Sequence, residues 1–442
     1  MKAFFKKYCF TVVLFCTHLL FFLYKVSLGD FFMLDSYEYY QLAKNIWSHG
    51  VFYHDNLEQL PLLPEAFTRR PPVYSFFIII SSLFFTSDIF ILLFQNCFSV
   101  LNILGIKKLF ENEGIAIRKT WFLIAVLTSV SQFIYPNFLM SEIILQSLIV
   151  AFLLFAQKAI KQKSVKYYIA TQVILIFLFL TKPVFYLFVI PNIILSLIFL
   201  WRVQIRRVNI VYSFVPVLVL LLYCNWNYQR TGSFEMSSIQ NHNLSDWNLY
   251  FFHVNTYGSK VADSINYDIR NKASQFTSYP IKQKFVKDEI LTYLKKDWFR
   301  YGLYHLRGTI RCFIDPGRFD LYSYFETESN MGFMNVVNKG DFKLLLKLLP
   351  QVPTGILVIM MIVFVGNCIK FLCFIWFWIQ HWKHASMITY LSLLFLLYIV
   401  LLTGPLGASR FMVPVLLIYL VMATIGFTDL LHRFKINRAE RL

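Results

Sequence analysis

Six charged residues stand at the edges of long apolar stretches and are of types that can do chemistry together: Asp35, Arg69, Arg70, Glu142, Lys182 and Arg410. A carboxylate held at a membrane face can take a proton from a hydroxyl. Guanidinium groups match phosphate oxygens in a fork, and ammonium adds a point charge. Together these groups suit acid–base chemistry on an anionic lipid headgroup. Each also has a plainer reading. Asp35-x-x-Glu38 has the form of a helix capping box, with Gly50 as the stop. Arg69-Arg70, ahead of Pro71-Pro72, could snorkel at an interface, and so could Lys182 ahead of Pro183. Glu142, after Ser141, could complement a helix dipole. Arg410 has no acidic neighbour in sequence. The plain readings account for these residues singly. They do not explain why acidic and basic groups gather at the same ends of successive apolar segments, where an intramembrane or boundary charge is costly.

The elements that must position them are membrane helices. The chain has 442 residues, 57% hydrophobic and only 15% charged, with a mean hydropathy of +0.56. That excludes an ordinary water-soluble domain. The net charge of +18 would suit nucleic acid in a soluble protein, but basic residues concentrated in short cytoplasmic loops explain it here. Apolar stretches near 8–27, 88–106, 120–138, 142–157, 167–181, 184–201, 208–225, 353–379, 386–403 and 411–431 predict about ten spans. Residues 73–85 are short for a span and read as a juxtamembrane helix. Lys2, Lys6 and Lys7 place the N-terminus in the cytoplasm, and no small-residue cleavage site follows, so the first stretch reads as an uncleaved span. The basic tail, with Arg433, Lys435, Arg438 and Arg441, is placed inside as well. All six candidate residues then fall on the outer face, in an integral multi-pass inner-membrane protein.

Three regions follow. Residues 1–225 form a transmembrane catalytic module that includes a first outer loop, 28–87. Residues 226–349 are polar and mixed, and read as an outer-face subdomain in which 282–298 is one helix. Residues 350–442 supply the last helices and the tail. The seven cysteines lie mostly in apolar runs without zinc spacing and read as small core residues.

The order of motifs resembles a known family: Asp35 with Tyr39-Tyr40 and Ala43, then Arg70-x-Pro72-x-Tyr74, Ser141-Glu142, Thr181-Lys182-Pro183, Thr231-Gly232-Ser233-Phe234 and Ser409-Arg410-Phe411-x-x-Pro414. This is similar to the GT-C integral-membrane glycosyltransferases, and within them to the dolichyl-phosphate-mannose–protein mannosyltransferase and aminoarabinose transferase group. The resemblance implies an all-α, GT-C-like polytopic fold and a sugar transfer from a polyprenyl-phosphate donor to a lipid, glycan or protein acceptor. It implies that Asp35 is catalytic, that Glu142 is a second acidic position, and that Arg410 and the Arg69/Arg70 pair lie near the carrier phosphate. Lys182 would join them, and Tyr39 and Tyr74 would line the substrate. The family string Asp-Glu is broken here by Ser36, which leaves open whether Asp35 and Glu142 share a divalent metal ion. On this reading Asp35 acts as general base in an inverting displacement. A transporter or flippase of lipid-linked sugars, and a non-catalytic assembly subunit, are the rival readings. The lack of an internal repeat and of charges placed near the bilayer midplane weighs against the transporter.

Overall fold

The computed structural model describes residues 2–84, 87–204, 206–327 and 352–439, with side chains described from residue 8 to 434. The stretch 328–349 of the expected outer subdomain, Phe85, and the side chains of Lys2, Lys6, Lys7, Lys435, Arg438 and Arg441 lie outside the described residues. Apart from turns and short 3-10 or π segments, the chain is helical. The first half holds α1 (Lys2–Leu28), α2 (Ser36–His49), α3 (Val73–Phe84), α4 (Ile89–Asn112), α5 (Lys119–Leu127), α6 (Glu142–Gln162), α7 (Val165–Thr181), α8 (Val189–Val203) and α9 (Val215–Thr231). Then come α10 (Tyr250–Tyr257), α11 (Ser259–Ser274), α12 (Tyr279–Lys296), α13 (Trp298–Ile314), α14 (Arg318–Tyr324), α15 (Thr354–His381), α16 (Met387–Leu402) and α17 (Leu416–Ala439).

Among the described residues, seven stretches are long and apolar enough to cross a membrane: Tyr8–Leu28, Ile89–Asn112, Glu142–Gln162, Pro183–Val203, Arg207–Thr231, Thr354–His384 and Ser409–Phe434. The helices α3, α7 and α16 are apolar but shorter. The protein is thus an all-helical integral membrane protein. Its core is built from Phe, Leu, Ile and Val of α4, α6, α7, α16 and α17. A separate small core, Leu249, Ile269 and Ile290, holds the polar-region helices together.

Two expectations about elements need correction. The stretch 120–138 is not one span. Its helix stops at Leu127, a four-residue turn follows at Ser131–Ile134, and a 3-10 turn at Tyr135–Asn137 contains Pro136. Irregular backbone at membrane depth is tolerated only where protein surrounds it, and residues 131–146 are all buried. Polar side chains line the break. Gln132 donates to Ser99 Oγ at 2.7 Å and exchanges bonds with Gln146 at 3.0 Å. Asn96 donates to Asn137 Oδ1 at 2.8 Å. The second correction concerns 282–298: α12 begins earlier, at Tyr279, ends at Lys296, and yields to a new helix at Trp298.

The longest helix, α15, runs against α17 closely enough for backbone contact. A Cβ on Gly426 would lie 2.0 Å from the Cys373 carbonyl oxygen and 3.0 Å from Phe377 N. Small residues at such crossings let backbones approach and make Cα–H···O contacts. Gly426→Val should therefore destabilise the protein in detergent by about 1–3 kcal/mol or more. Gly355→Ala, on the same pair of helices but with nothing within 4 Å of its Cβ position, serves as the control. Equal melting temperatures for the two variants would refute this packing account.

Candidate functional site

The site grows from three local structures. The first is the entry to α2. Gly50 closes that helix in the left-handed conformation, φ 67°, as expected. The capping box does not form. Asp35 makes no side-chain cap bond, and Glu38 reaches instead to Arg70 Nε at 2.5 Å and lies 2.7 Å from Arg69 Nε. The reason is charge: two guanidinium groups outbid a neutral backbone N–H for a carboxylate. Arg69 Nε is an ion-pair neighbour of Glu38 without hydrogen-bond alignment, and the Arg69 side chain remains 35% exposed.

The second is the turn that carries the arginine pair. His54 holds it from inside. Its Nδ1 lies 2.5 Å from the Ala66 carbonyl oxygen, and its Nε2 lies 2.7 Å from the Arg70 carbonyl oxygen and 2.9 Å from the Arg70 backbone N. Burial pushes the His54 imidazole down to about 3, so at neutral pH the ring is uncharged and one nitrogen donates. The third comprises the helix ends that bring in Glu142 (α6), Lys182 (after α7) and Arg410 (ahead of α17).

These residues converge. Arg70 Nη2 is 2.9 Å from Asp35 Oδ1. Arg410 bonds Asp35 Oδ2 through Nη2 and Glu142 Oε1 through Nε, the latter at 2.8 Å. Lys182 Nζ lies 2.7 Å from the same Glu142 oxygen. One continuous chain of ion pairs thus runs Arg69–Glu38–Arg70–Asp35–Arg410–Glu142–Lys182. It holds four cations against three carboxylates and so carries one positive charge in excess. Glu142 is fully buried and its Oε2 has no hydrogen-bond partner, a vacancy that a buried acceptor rarely tolerates.

The electrostatics follow from this chain. Burial alone would raise the Asp35 carboxyl, but the positive fields of Arg410 and Arg70 overcome it and hold that carboxyl well below the usual range. Burial lowers the Lys182 ammonium, and the neighbouring Glu142 opposes that only in part. Asp35 and Glu142 do not form a pocket for a divalent cation. The Arg410 guanidinium stands between them, and their charge is already neutralised. A hard divalent ion needs several unclaimed oxygens, and no group of three or more metal-ligating side chains occurs among the described residues. The donor set fits an anion instead.

Tyr39 and Tyr74 do not line the site as expected. Both are fully buried. Their rings meet edge to face at 4.9 Å, Tyr39 OH lies 3.2 Å from Ser141 Oγ, and Tyr74 OH donates to Gln95 at 2.8 Å. They brace α2 and α3 against the core, and the Tyr39 ring backs the site from below, with the Arg70 guanidinium carbon 5.4 Å over its centroid.

Sequence reasoning missed a second layer. Ser409, next to Arg410, is pinned twice: its N–H donates to Asp315 Oδ2 and its hydroxyl to Asp320 Oδ2, both at 2.6 Å. Asp320 also accepts from Tyr135 OH at 2.7 Å and Ser131 Oγ at 3.0 Å. Asp315-Pro316-Gly317 is a turn signal, but nothing in it points to a residue 94 positions away.

No protein-family model matches the chain, and no curated protein matches it. Among solved structures, the crystal structure of ArnT from Cupriavidus metallidurans bound to undecaprenyl phosphate aligns at a TM-score of 0.42 and 13% identity, covering 95% of this chain and 77% of that one. At that score the likeness carries no argument, and the functional reading rests on the site.

Burial, with Asp315 adding to it, pushes the Asp320 carboxyl up from 3.8 to about 6 against the bonds from Ser409, Tyr135 and Ser131. The fold therefore favours the proton on Asp320. That contribution is full below pH 3.8 and is lost as pH rises through 6. It is on the order of 3 kcal/mol. The melting-temperature gap between wild type and Asp320→Asn should shift steadily in favour of the variant from pH 4 to pH 7. A gap that does not change with pH would contradict this.

Proposed function

We propose that the chain is a membrane glycosyltransferase that moves a sugar from a polyprenyl-phosphate-linked donor to an acceptor hydroxyl on a lipid, glycan or protein. The observation that carries this reading is the arginine-shared carboxylate pair with its excess positive charge. Asp35 and Glu142 serve as resident counterions for cations whose natural ligand is an oxyanion. The reading places the site on the outer face of the cytoplasmic membrane, because the candidate residues lie at the ends of spans opposite the basic loops.

On this reading the donor phosphate competes with Asp35 for Arg70 and Arg410. As the guanidinium groups turn to the phosphate, Asp35 loses the fields that depress its basicity. The acceptor oxygen attacks the anomeric carbon and its proton passes to Asp35. The bond between the anomeric carbon and the phosphate oxygen breaks, and the electron pair leaves with the polyprenyl phosphate. Charge on that leaving group is neutralised by Arg410, Arg70 and the half-exposed Arg69, the electrostatic stabilisation that such a step needs most. Attack from the face opposite the phosphate inverts the configuration. Glu142, braced by Lys182 and Arg410, keeps Arg410 aimed at the phosphate, and its unpartnered Oε2 can accept from an incoming hydroxyl.

The competition gives a test that separates a base from a strut. In purified protein, Arg410→Ala should weaken binding of a polyprenyl monophosphate at least about ten-fold, the scale of one lost charge-assisted contact. Asp35→Asn removes the rival anion and should bind the same lipid more tightly, while sugar transfer in membranes supplied with polyprenyl-phosphate sugars falls about 10²–10⁴-fold. Wild-type transfer by Asp35→Asn would remove it as the base. Unchanged lipid affinity in Arg410→Ala would remove the phosphate site.

A further inference from the structure

The helix α13 divides its circumference three ways. One face is packed on the membrane bundle. Tyr304 OH donates to the Pro405 carbonyl at 3.1 Å, and His305 Nε2 lies 2.5 Å from the Leu401 carbonyl oxygen. Gly308 meets the Gly404 carbonyl so closely that a Cβ would stand 1.9 Å from it. Past Ile310 the helix also packs on the side that carries Leu306, where the buried Phe313 ring lies 5.1 Å from Phe371 and 5.3 Å from Tyr419.

The face opposite Tyr304 and Gly308 is, from the start of the helix to Ile310, a row of large apolar side chains left uncovered. Phe299, Leu303, Leu306 and Ile310 are 60%, 44%, 53% and 43% exposed, with Trp298 at the start of the helix 71% exposed. Steps of four, three and four residues keep the row within about 60° of arc at 100° per residue. Between the two faces runs a basic row. Arg300 and Arg307, seven residues apart, are both exposed and lie about 80–100° from Phe299 around the helix.

The neighbours of this helix identify what covers the apolar row. Leu401, whose carbonyl oxygen lies against His305, is itself 49% exposed on an apolar helix, with Leu397 and Leu402 exposed beside it. At the other end, Phe371 is flanked on α15 by exposed Ile369 and Leu372. α15 is one of the stretches long enough to span a membrane and α16 a shorter apolar helix beside it, so the α13 row continues an exposed apolar surface of the bundle. A helix with one apolar row edged by arginines is the pattern of a segment lying in the plane of a lipid interface. A partner protein would have to displace lipid from α15 and α16 to reach the row.

We propose that Trp298–Ile314, which falls in the region expected to form a soluble subdomain, is an interfacial helix seated in the lipid surface. Phe299, Leu303, Leu306 and Ile310 lie among acyl chains, and Arg300 and Arg307 meet anionic headgroup phosphates. The proposal does not depend on glycosyl transfer.

The test uses the full chain in nanodiscs of phosphatidylethanolamine and phosphatidylglycerol. A ketone-bearing residue at 303, 306 or 310 takes a nitroxide label without touching the native cysteines. Each label should be more accessible to oxygen than to a water-soluble nickel chelate, whereas one at the exposed Tyr267 (68%) should show the reverse. Nickel accessibility at 306 equal to that at 267 would overturn the proposal in favour of a water-facing row. Low accessibility to both reagents would overturn it in favour of a protein partner or a second copy. The headgroup half has its own readout. Arg307→Gln should lower the preference of the protein for spin-labelled phosphatidylglycerol over phosphatidylcholine by about three-fold. An unchanged preference would show that the basic row does not contact headgroups.

Discussion

One guanidinium, that of Arg410 near the end of the chain, is shared by two carboxylates from its first third. Asp35 comes from the segment after the first helix and Glu142 from the start of the sixth. Removing either partner would strand a buried charge, which costs about 3–5 kcal/mol. The arrangement therefore fixes where α1, α6, α7 and the final span stand relative to one another. The rest of the site follows from it. Arg70 and Glu38 extend the chain of charges along the first polar segment, and Lys182 closes it on the other side. A network with every carboxylate oxygen but one engaged is stiff. It is also incomplete by one negative charge, and at its buried centre, between Arg70 and Arg410, an added anion would have to displace Asp35.

Much of this was legible in the sequence, because residue types and their places at span ends need no tertiary information. Asp35, Arg69, Arg70, Glu142, Lys182 and Arg410 were all singled out, and the structure brings them into one cluster. What the sequence could not show was which opposing charge each would choose. The spacing of Asp35 and Glu38 is a capping pattern, and local pattern is overridden when stronger partners arrive from far away in the chain. Tyr39 and Tyr74 were misread for a related reason. An aromatic ring beside a charged residue has the same sequence signature whether it faces a ligand or the core.

The clamp of Asp315 and Asp320 on Ser409 was illegible for a different reason. Its members come from the region after the polar helices and from the turn before the last span, and neither stretch has a periodicity that points to the other. The fold shows this second layer supporting the first. The turn that presents Arg410 is held by two carboxylates that spend no charge on the cation itself. The break at residues 128–137 was likewise hidden, because an apolar window of the right length reads as a continuous span whatever its backbone does.

That broken segment bears on how the protein can be made. Gln132 and Asn137 find their partners on α4 and α6, in Ser99, Asn96 and Gln146, and the Thr128 carbonyl freed at the break accepts from Lys370 of α15 at 3.2 Å. Alone in hydrocarbon, those groups would be unsatisfied. The segment cannot reach its mature form when it leaves the ribosome. It is complete only when α15, with Lys370 placed 242 positions after Thr128, has been inserted. The centre of this membrane protein therefore cannot close before α15 has arrived.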